Sequence, residues 1–357
     1  MKFVCKVPVL QGLKAFPFLH VEASENSVTF TAYTGESHET CDYFYASNTA
    51  RNVSHPVYVY VQVKVAAVVS EAGSASFQSK IWKPFARKTV TVSTDPASPQ
   101  TASIAFGAAV QVVGVLTDAI KMPSENAEPL FPLTLDLSAS EAISEDETRP
   151  HLSCLHLHAK NGYLQATATD GHRLHRTSAP FEGTDFEMTV PRLAVEALAS
   201  VKGLDAMCAP GMIRKGAMTV RFPPFLLAFP PCDRIIPQGM DRTTILPVKD
   251  LRTLLKNYPK AYEIGGERSD LSRDNLVLTI SEGSMKIARD GYFERSVAAE
   301  TKGLQPGETF KIGVFLGYLF EALELVSEGA SMGSSGDLDP LLFTRGERRA
   351  VVMPCRV

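Results

Sequence analysis

The chain has 357 residues, 45% hydrophobic and 21% charged, with 24 Gly and 23 Pro, a globular composition that leaves room for two or three domains. Lys and Arg number 36 against 39 Asp and Glu, a formal charge of -3, so no global field draws the chain to nucleic acid or to an anionic membrane, and any basic surface is local. The longest apolar stretches, such as the run ending at Val68 and Val69, fall far short of the ~20 residues that cross a bilayer. The start Met1-Lys2-Phe3-Val4-Cys5 has no apolar signal core, so a cytoplasmic protein without a membrane partner is expected. Six cysteines, Cys5, Cys41, Cys154, Cys208, Cys232 and Cys355, are too scattered for a disulfide framework and contain no C-x-x-C pair for zinc. Histidines concentrate between 151 and 175, with His156 and His158 on one strand face and His172 and His175 three apart. No acidic ligand recurs at useful spacing beside them, so neither a metal nor a cofactor is expected.

In chain order, a helical stretch is read at residues 7–16. The Val-rich run 57–73 is read as a strand leading into a helix, and the Ser/Thr/Pro stretch 93–103 as an exposed loop. A linker is read at 121–129 and a helix at 138–147. Alternating segments at 155–158 and 163–169 predict half-buried antiparallel strands, with Asn161-Gly162 and Asp170-Gly171 supplying tight reversals. Residues 186–201 read as a strand running into a helix, and 237–241 as a second linker. A helix follows at 248–258, with strands at 276–280 and 285–288 joined through Glu282-Gly283. The strand-then-helix design returns at 309–326. The two copies of that design stand about 120 residues apart, close to a third of the chain, and the 57–73 run aligns at a similar offset. The fold class expected is therefore α+β, with three repeated domains at 1–125, 126–240 and 241–357, each of two helices and an antiparallel sheet.

In the 248–258 helix, Val248, Leu251, Leu254, Leu255 and Tyr258 share one face, while Lys249, Arg252 and Lys256 share the other. Those cations are either a solvated face or a stripe aimed at phosphates. The segment 164–174 takes a strand to an Asp-Gly turn followed by His172 and Arg173. Read alone, Asp170 and His172 allow an acid/base pair, and with it a hydrolase or nuclease. However, there is no G-x-S-x-G elbow, no G-x-x-x-x-G-K-[ST] and no G-x-G-x-x-G, so catalysis has little support in the sequence.

Ala168-Thr-Asp-Gly-His-Arg-Leu174, together with Val351-Val-Met-Pro-Cys-Arg-Val357, resembles the bacterial replicative sliding clamps, the beta subunits of DNA polymerase III. Phe229-Pro-Pro-Cys-Asp-Arg-Ile-Ile-Pro237 and Thr189-Val-Pro-Arg192 are similar to further segments of that family, and the likeness covers roughly residues 130–357. The first third matches only through its Met-Lys-Phe start and its helix spacing. The resemblance implies a non-catalytic processivity factor. Two chains would join head to tail in a six-domain ring around double-stranded DNA, with helices lining the pore.

Lys249, Arg252 and Lys256, with Lys14 and Lys64, would then face DNA, against the acidic Glu141, Glu145, Asp146, Glu147, Glu321 and Glu324 on other candidate pore helices. The implied partners are the DNA polymerase III alpha subunit, the clamp loader and other proteins carrying a clamp-binding motif. They would insert short peptides in a hydrophobic groove. Carried over residue by residue, that groove comprises Leu152, Thr169, Gly171, His172, Arg173, Leu174, Pro230, Arg234, Ile235, Tyr318, Leu338, Pro340, Val351, Met353, Pro354, Cys355 and Arg356. Cys355 stands where the family usually has a larger methionine and Val357 where it has leucine, which implies a reshaped pocket. Ile104 and Phe106 are read as apolar contributors to the dimer contact, opposite a segment that is charged here at Glu267 and Arg268. A specialised second clamp copy, serving inhibitor tolerance or a mobile element, gives the same sequence reading as a housekeeping clamp.

Overall fold

The computed structural model describes residues 1–8, 16–34, 37–44, 50–57, 59–116, 130–146, 148–223, 228–256, 263–264, 267–268, 275–289 and 293–356. They form two compact units, Met1–Leu135 with Phe181–Leu227, and Asp136–Pro180 with Ala228–Val357. The architecture is mixed α+β with antiparallel sheets. Three α-helices occur among the described residues: α1 (Arg192–Ala199), α2 (Val248–Lys256) and α3 (Leu316–Val326).

In the first unit the Lys2–Lys6 strand lies between Tyr60–Glu71 and Thr89–Asp95, and Ser98–Phe106 and Ala109–Gly114 follow on to the sheet edge. Tyr60–Glu71 also pairs with Ser27–Tyr33 and with Met218–Arg221, so one long strand joins the first third of the sequence to the middle third. Its aromatic core is organised by the fully buried Trp82, with Phe30 and Phe77 edge-on at 5.2 and 5.4 Å, a favoured arrangement of ring quadrupoles.

The second unit repeats this sharing of a sheet between sequence thirds. Its strands run in the order Cys154–Lys160, Tyr163–Thr169, Arg173–Pro180, Arg348–Val352, Leu341–Arg345, Ser331–Ser334, Arg242–Ile245 and Glu300–Lys302. A second sheet runs Phe293–Ala298, Ser284–Arg289, Asn275–Ser281, Phe310–Phe315. Leu251 and Leu255 of α2 and Leu319, Ala322 and Leu323 of α3 are buried in one core with Leu276, Ile287, Ile312, Phe343 and Val352. Burying each large aliphatic side chain here stabilises the unit by ~1.5–3 kcal/mol.

The strand-to-helix runs at Phe186–Pro191 with α1 and Phe310–Phe315 with α3 form as read, as do α2 and the strands around 155–169 and 276–288. Four expectations differ. The 57–73 run holds no helix: Tyr60–Glu71 is a continuous strand. Its alternating burial and β-branched valines favour the pleat, and strands on both edges supply hydrogen-bond partners. The 138–147 helix shrinks to a 3-10 turn, Leu137–Ala142, with the Asp136 carboxylate accepting both the N–H and the hydroxyl of Ser138. Such local side-chain bonds compete with regular helix. The 93–103 loop is instead a hairpin of Thr89–Asp95 and Ser98–Phe106, turned where Asp95 accepts the Ala97 N–H at 2.9 Å. Two helices per third are therefore found, among the described residues, only in the last third. Ile104, read as a dimer contact, is fully buried in its own sheet, while Phe106 is 41% exposed. The expected helix at 7–16 and linker at 121–129, with Lys14, Glu147, Tyr258 and Val357, fall wholly or mainly outside the described residues.

Candidate peptide-binding groove

The site is built on the turn between Tyr163–Thr169 and Arg173–Pro180. Gly171 has φ +93°, a left-handed conformation that glycine adopts at no steric cost. The Thr169 hydroxyl donates to the Arg173 carbonyl at 2.6 Å and accepts the Gly171 N–H at 3.1 Å. Asp170 Oδ1 accepts the backbone N–H groups of His172 and Arg173 at 2.8 and 2.9 Å, and Oδ2 lies 3.2 Å from Arg173 Nε. Asp170 is thus engaged on both oxygens by the turn itself. The His172 ring instead stacks on Tyr318 of α3, 6.4 Å between centroids at 14°. No acid/base relay links the two side chains.

Arg173 ties this turn to its surroundings. Its Nη1 pairs with Glu321 of α3, its Nη2 donates to the Glu141 carbonyl at 2.8 Å, and its guanidinium lies 4.8 Å from the centre of the Tyr318 ring. Glu321, expected as a pore acid, is therefore occupied holding the arginine of the site.

The last strand completes the floor. Leu174 is opposite Val351, and Val351 opposite Leu342. Leu174, Val351, Cys232 and Ile236 form a small buried apolar cluster, with Phe229 and Leu342 packed against it at the margin. Past the strand, the Met353 N–H donates to the His172 carbonyl at 2.9 Å and the Cys355 N–H to the Gly313 carbonyl at 3.0 Å. The terminal segment is thereby fixed to both the Asp-Gly turn and the Phe310–Phe315 strand. Exposed apolar side chains surround the floor in sequence: Ile235 at 47%, Met353 at 39% and, on the loop before Leu341–Arg345, Leu338 at 61%. Arg234 and Arg356 are exposed cations, Pro230, Pro340, Pro354 and Cys355 are half-buried, and Leu152 is buried on the 3-10 turn Pro150–Leu152. Partial burial raises the Cys355 thiol pKa, which keeps it protonated and unreactive.

All seventeen expected groove residues fall within the second unit. The reading missed Cys232, Ile236, Phe229 and Leu342 as floor residues, and Glu321 as the partner of Arg173. Leu342 was within reach, since a hairpin turning at Gly346 puts it opposite Val351. Of the expected DNA-facing cations, Lys249 and Lys256 are exposed on α2, whereas Arg252 is paired with Glu324. Lys64 is an exposed strand residue, not a helical one. Among the described residues no group of three His, Cys, Asp or Glu side chains is placed to hold one metal ion, and no helix is long and apolar enough to cross a membrane.

These two units, each built on antiparallel sheets and the second carrying the groove, have the sliding-clamp fold. The structure superposes along its whole length on the DNA polymerase III subunit beta of Pseudomonas aeruginosa, with TM-score 0.73, 17% identity and 100% of both chains covered. It matches the DNA polymerase sliding clamp of Bacillus subtilis with TM-score 0.76 and 16% identity, over 100% of this chain and 99% of that one. A sliding clamp from Bartonella birtlesii, bound to griselimycin, gives TM-score 0.73 and 20% identity over 100% of both. In sequence, the chain is similar to the beta sliding clamp of Pseudomonas putida, 26% identical over 232 residues, a match that covers 61% of this chain and 61% of that protein. No family model matches the sequence.

Proposed function

We propose that this protein is a DNA sliding clamp, a non-catalytic processivity factor that tethers a replicative polymerase to double-stranded DNA. The observation that carries this reading is an apolar floor of Leu174, Val351, Cys232 and Ile236, set beside a pinned Asp-Gly turn and a terminal segment, on a chain with the clamp fold throughout. Such a floor suits the side chain of a leucine or phenylalanine from a polymerase alpha subunit, a clamp loader or another motif-bearing partner. Three clamp domains, 1–125, 126–240 and 241–357, would make a six-domain ring from a head-to-tail homodimer. Strand pairing at the Ala109–Gly114 edge is the proposed seam, because Val110 and Val112 are 64% and 66% exposed there and Phe106 adjoins them. Lys249 and Lys256 are the proposed phosphate contacts, with Arg252 held in reserve by Glu324. Action in the cytoplasm on the nucleoid follows from that role. The hydrolase reading of Asp170 and His172 loses its support once the Asp170 oxygens are committed to the turn.

The test is topological. Protein loaded on a closed, nicked circle should stay bound and should run off when the circle is cut once, while binding to free linear duplex should be weak and fall steeply with salt. Equal loss from circle and linear DNA would overturn the proposal.

A further inference from the structure

Resting on that reading of the groove, we propose that its far end is an anion-recognising extension, which selects partner peptides with a carboxylate about four residues from their apolar anchor. Arg173–Pro180 and Arg348–Val352 carry the groove floor at Leu174 and Val351, and two residues along the same strands, on the same face, they carry Arg176 and Arg349. Beyond these a cavity of about 330 Å³ opens, lined among others by Lys160, Tyr163, Gln165, Arg176, Arg349 and Glu347. It lies at the end of the groove opposite His172, Tyr318 and Met353, because the strands run from one end to the other.

The charges in the cavity divide into committed and available groups. Arg176 is buried, with Nε donating to the Thr167 hydroxyl at 2.9 Å and Nη1 to Asp233 at 2.6 Å. The Arg176 guanidinium holds the Asp233 carboxyl below its usual pKa, so this pair is ionised and fixed. Lys160 and Arg349 are exposed, and neither forms an ion pair among the described residues. Against these two cations the cavity presents one carboxylate, Glu347, and the amide of Gln165 and the ring of the exposed Tyr163 offer further polar and aromatic contact. From Leu174 to Ser178, which also lines the cavity, is four residues of strand, roughly 13 Å at ~3.3 Å per residue. An extended peptide anchored at Leu174 reaches the cavity with its fourth residue from the anchor.

The experiment uses the full-length protein and fluorescein-labelled decapeptides. Each carries one leucine-phenylalanine anchor and, four residues from it on either side, aspartate, asparagine or lysine. Two peptide–cation pairs at a half-open site predict that, in one of the two orders, aspartate binds about 3–10-fold tighter than asparagine and lysine binds weaker. That ranking should collapse in the Lys160→Ala/Arg349→Ala double variant, with asparagine-peptide affinity unchanged, and should invert in Lys160→Glu/Arg349→Glu. Equal binding of all three peptides by the parent protein would overturn the extension while leaving the groove. Failure of every peptide to bind would overturn the groove reading itself. If the double variant lost DNA binding but kept the peptide ranking, the cations would belong to phosphate contact and the proposal would fall.

Discussion

Substituting Gly313 by alanine should release the terminal segment without replacing any side chain of the groove. A Cβ at 313 would sit 2.4 Å from the Cys355 carbonyl oxygen and 3.0 Å from its Sγ, and the first is backbone that cannot rotate aside. Two costs compete. Keeping the segment in place means absorbing an overpacking of ~1–3 kcal/mol. Letting go gives up the Cys355 N–H bond to Gly313, worth ~0.5–1.5 kcal/mol net because water replaces the partner. Release is the cheaper outcome, so Gly313→Ala should lower global stability by only ~1 kcal/mol. Amide exchange at Met353, Cys355 and Arg356 should rise at least ~10-fold, reporting local opening. Met353 would no longer stand over the groove, and anchored peptide should bind about 5–10-fold more weakly by fluorescence anisotropy, equivalent to ~1–1.4 kcal/mol. Truncation after Val352 should reproduce that loss. If Gly313→Ala bound peptide within twofold of the parent while the truncated chain did not, the docking of Cys355 on Gly313 would be irrelevant to the groove and this reasoning would fail.

Three further outcomes are expected. Asp170→Ala removes the acceptor of two turn N–H groups and one partner of Arg173, so thermal or urea unfolding should report a loss of ~2–3 kcal/mol; a change below ~0.5 kcal/mol would contradict the structural role given to it. His175 is fully buried, neither ring nitrogen has a hydrogen-bond partner, and burial, aided by the nearby Arg173 charge, pushes its pKa down to about 3. The unfolded chain therefore takes up a proton near pH 6.5 that the folded chain refuses, so stability should decline as pH falls from 6.5 toward 3, and His175→Leu should flatten the pH dependence of the unfolding free energy from urea titrations, by up to ~3 kcal/mol at pH 4. Val110→Glu places a charge on the apolar edge of Ala109–Gly114, and sedimentation should show single chains at micromolar concentration where the parent, on the proposed ring, should give pairs of chains; an unchanged dimer would move the seam elsewhere.

The second unit was more legible than the first, for reasons that lie in particular residues. In the second unit the turn at Asp170-Gly171, the amphipathic pattern of α2 and the strand-to-helix run into α3 are local signals, decided within a dozen residues, as is the run into α1 in the first. Tyr60–Glu71 was misread because Val-Ala-Ala-Val-Val carries apolar residues at both helical and strand spacing, and only strands on both of its edges, distant in sequence, settle the choice. The Leu137–Ala142 turn was overextended because acidic and alanine residues have good helix propensity, while the Asp136 bonds that divert the backbone are visible only in three dimensions. At the site, Leu174, Val351 and Met353 were legible from a motif, but the Glu321 partner of Arg173 lies on a separate element 148 positions along the chain. Likewise, Arg252 read as a free cation until Glu324, 72 positions along the chain, was seen to neutralise it.

The pairing of Arg173–Pro180 with Arg348–Val352 also constrains how the protein is made. As the chain leaves the ribosome, the hairpin of Tyr163–Thr169 and Arg173–Pro180 waits with an open edge while some 170 further residues are added. Leu341–Arg345 is open in the same way until the hairpin at Gly346 delivers its neighbour. A single five-residue strand then closes both edges at once and seats Val351 on Leu174. Until that moment the nascent second unit carries two unpaired strand edges, the kind of surface that recruits other chains. Its folding is in this sense gated by translation of the last strand, and a stalled or nonsense-truncated product lacking residues 348–352 would be a substrate for holding chaperones and proteases, with no intermediate form of partial activity.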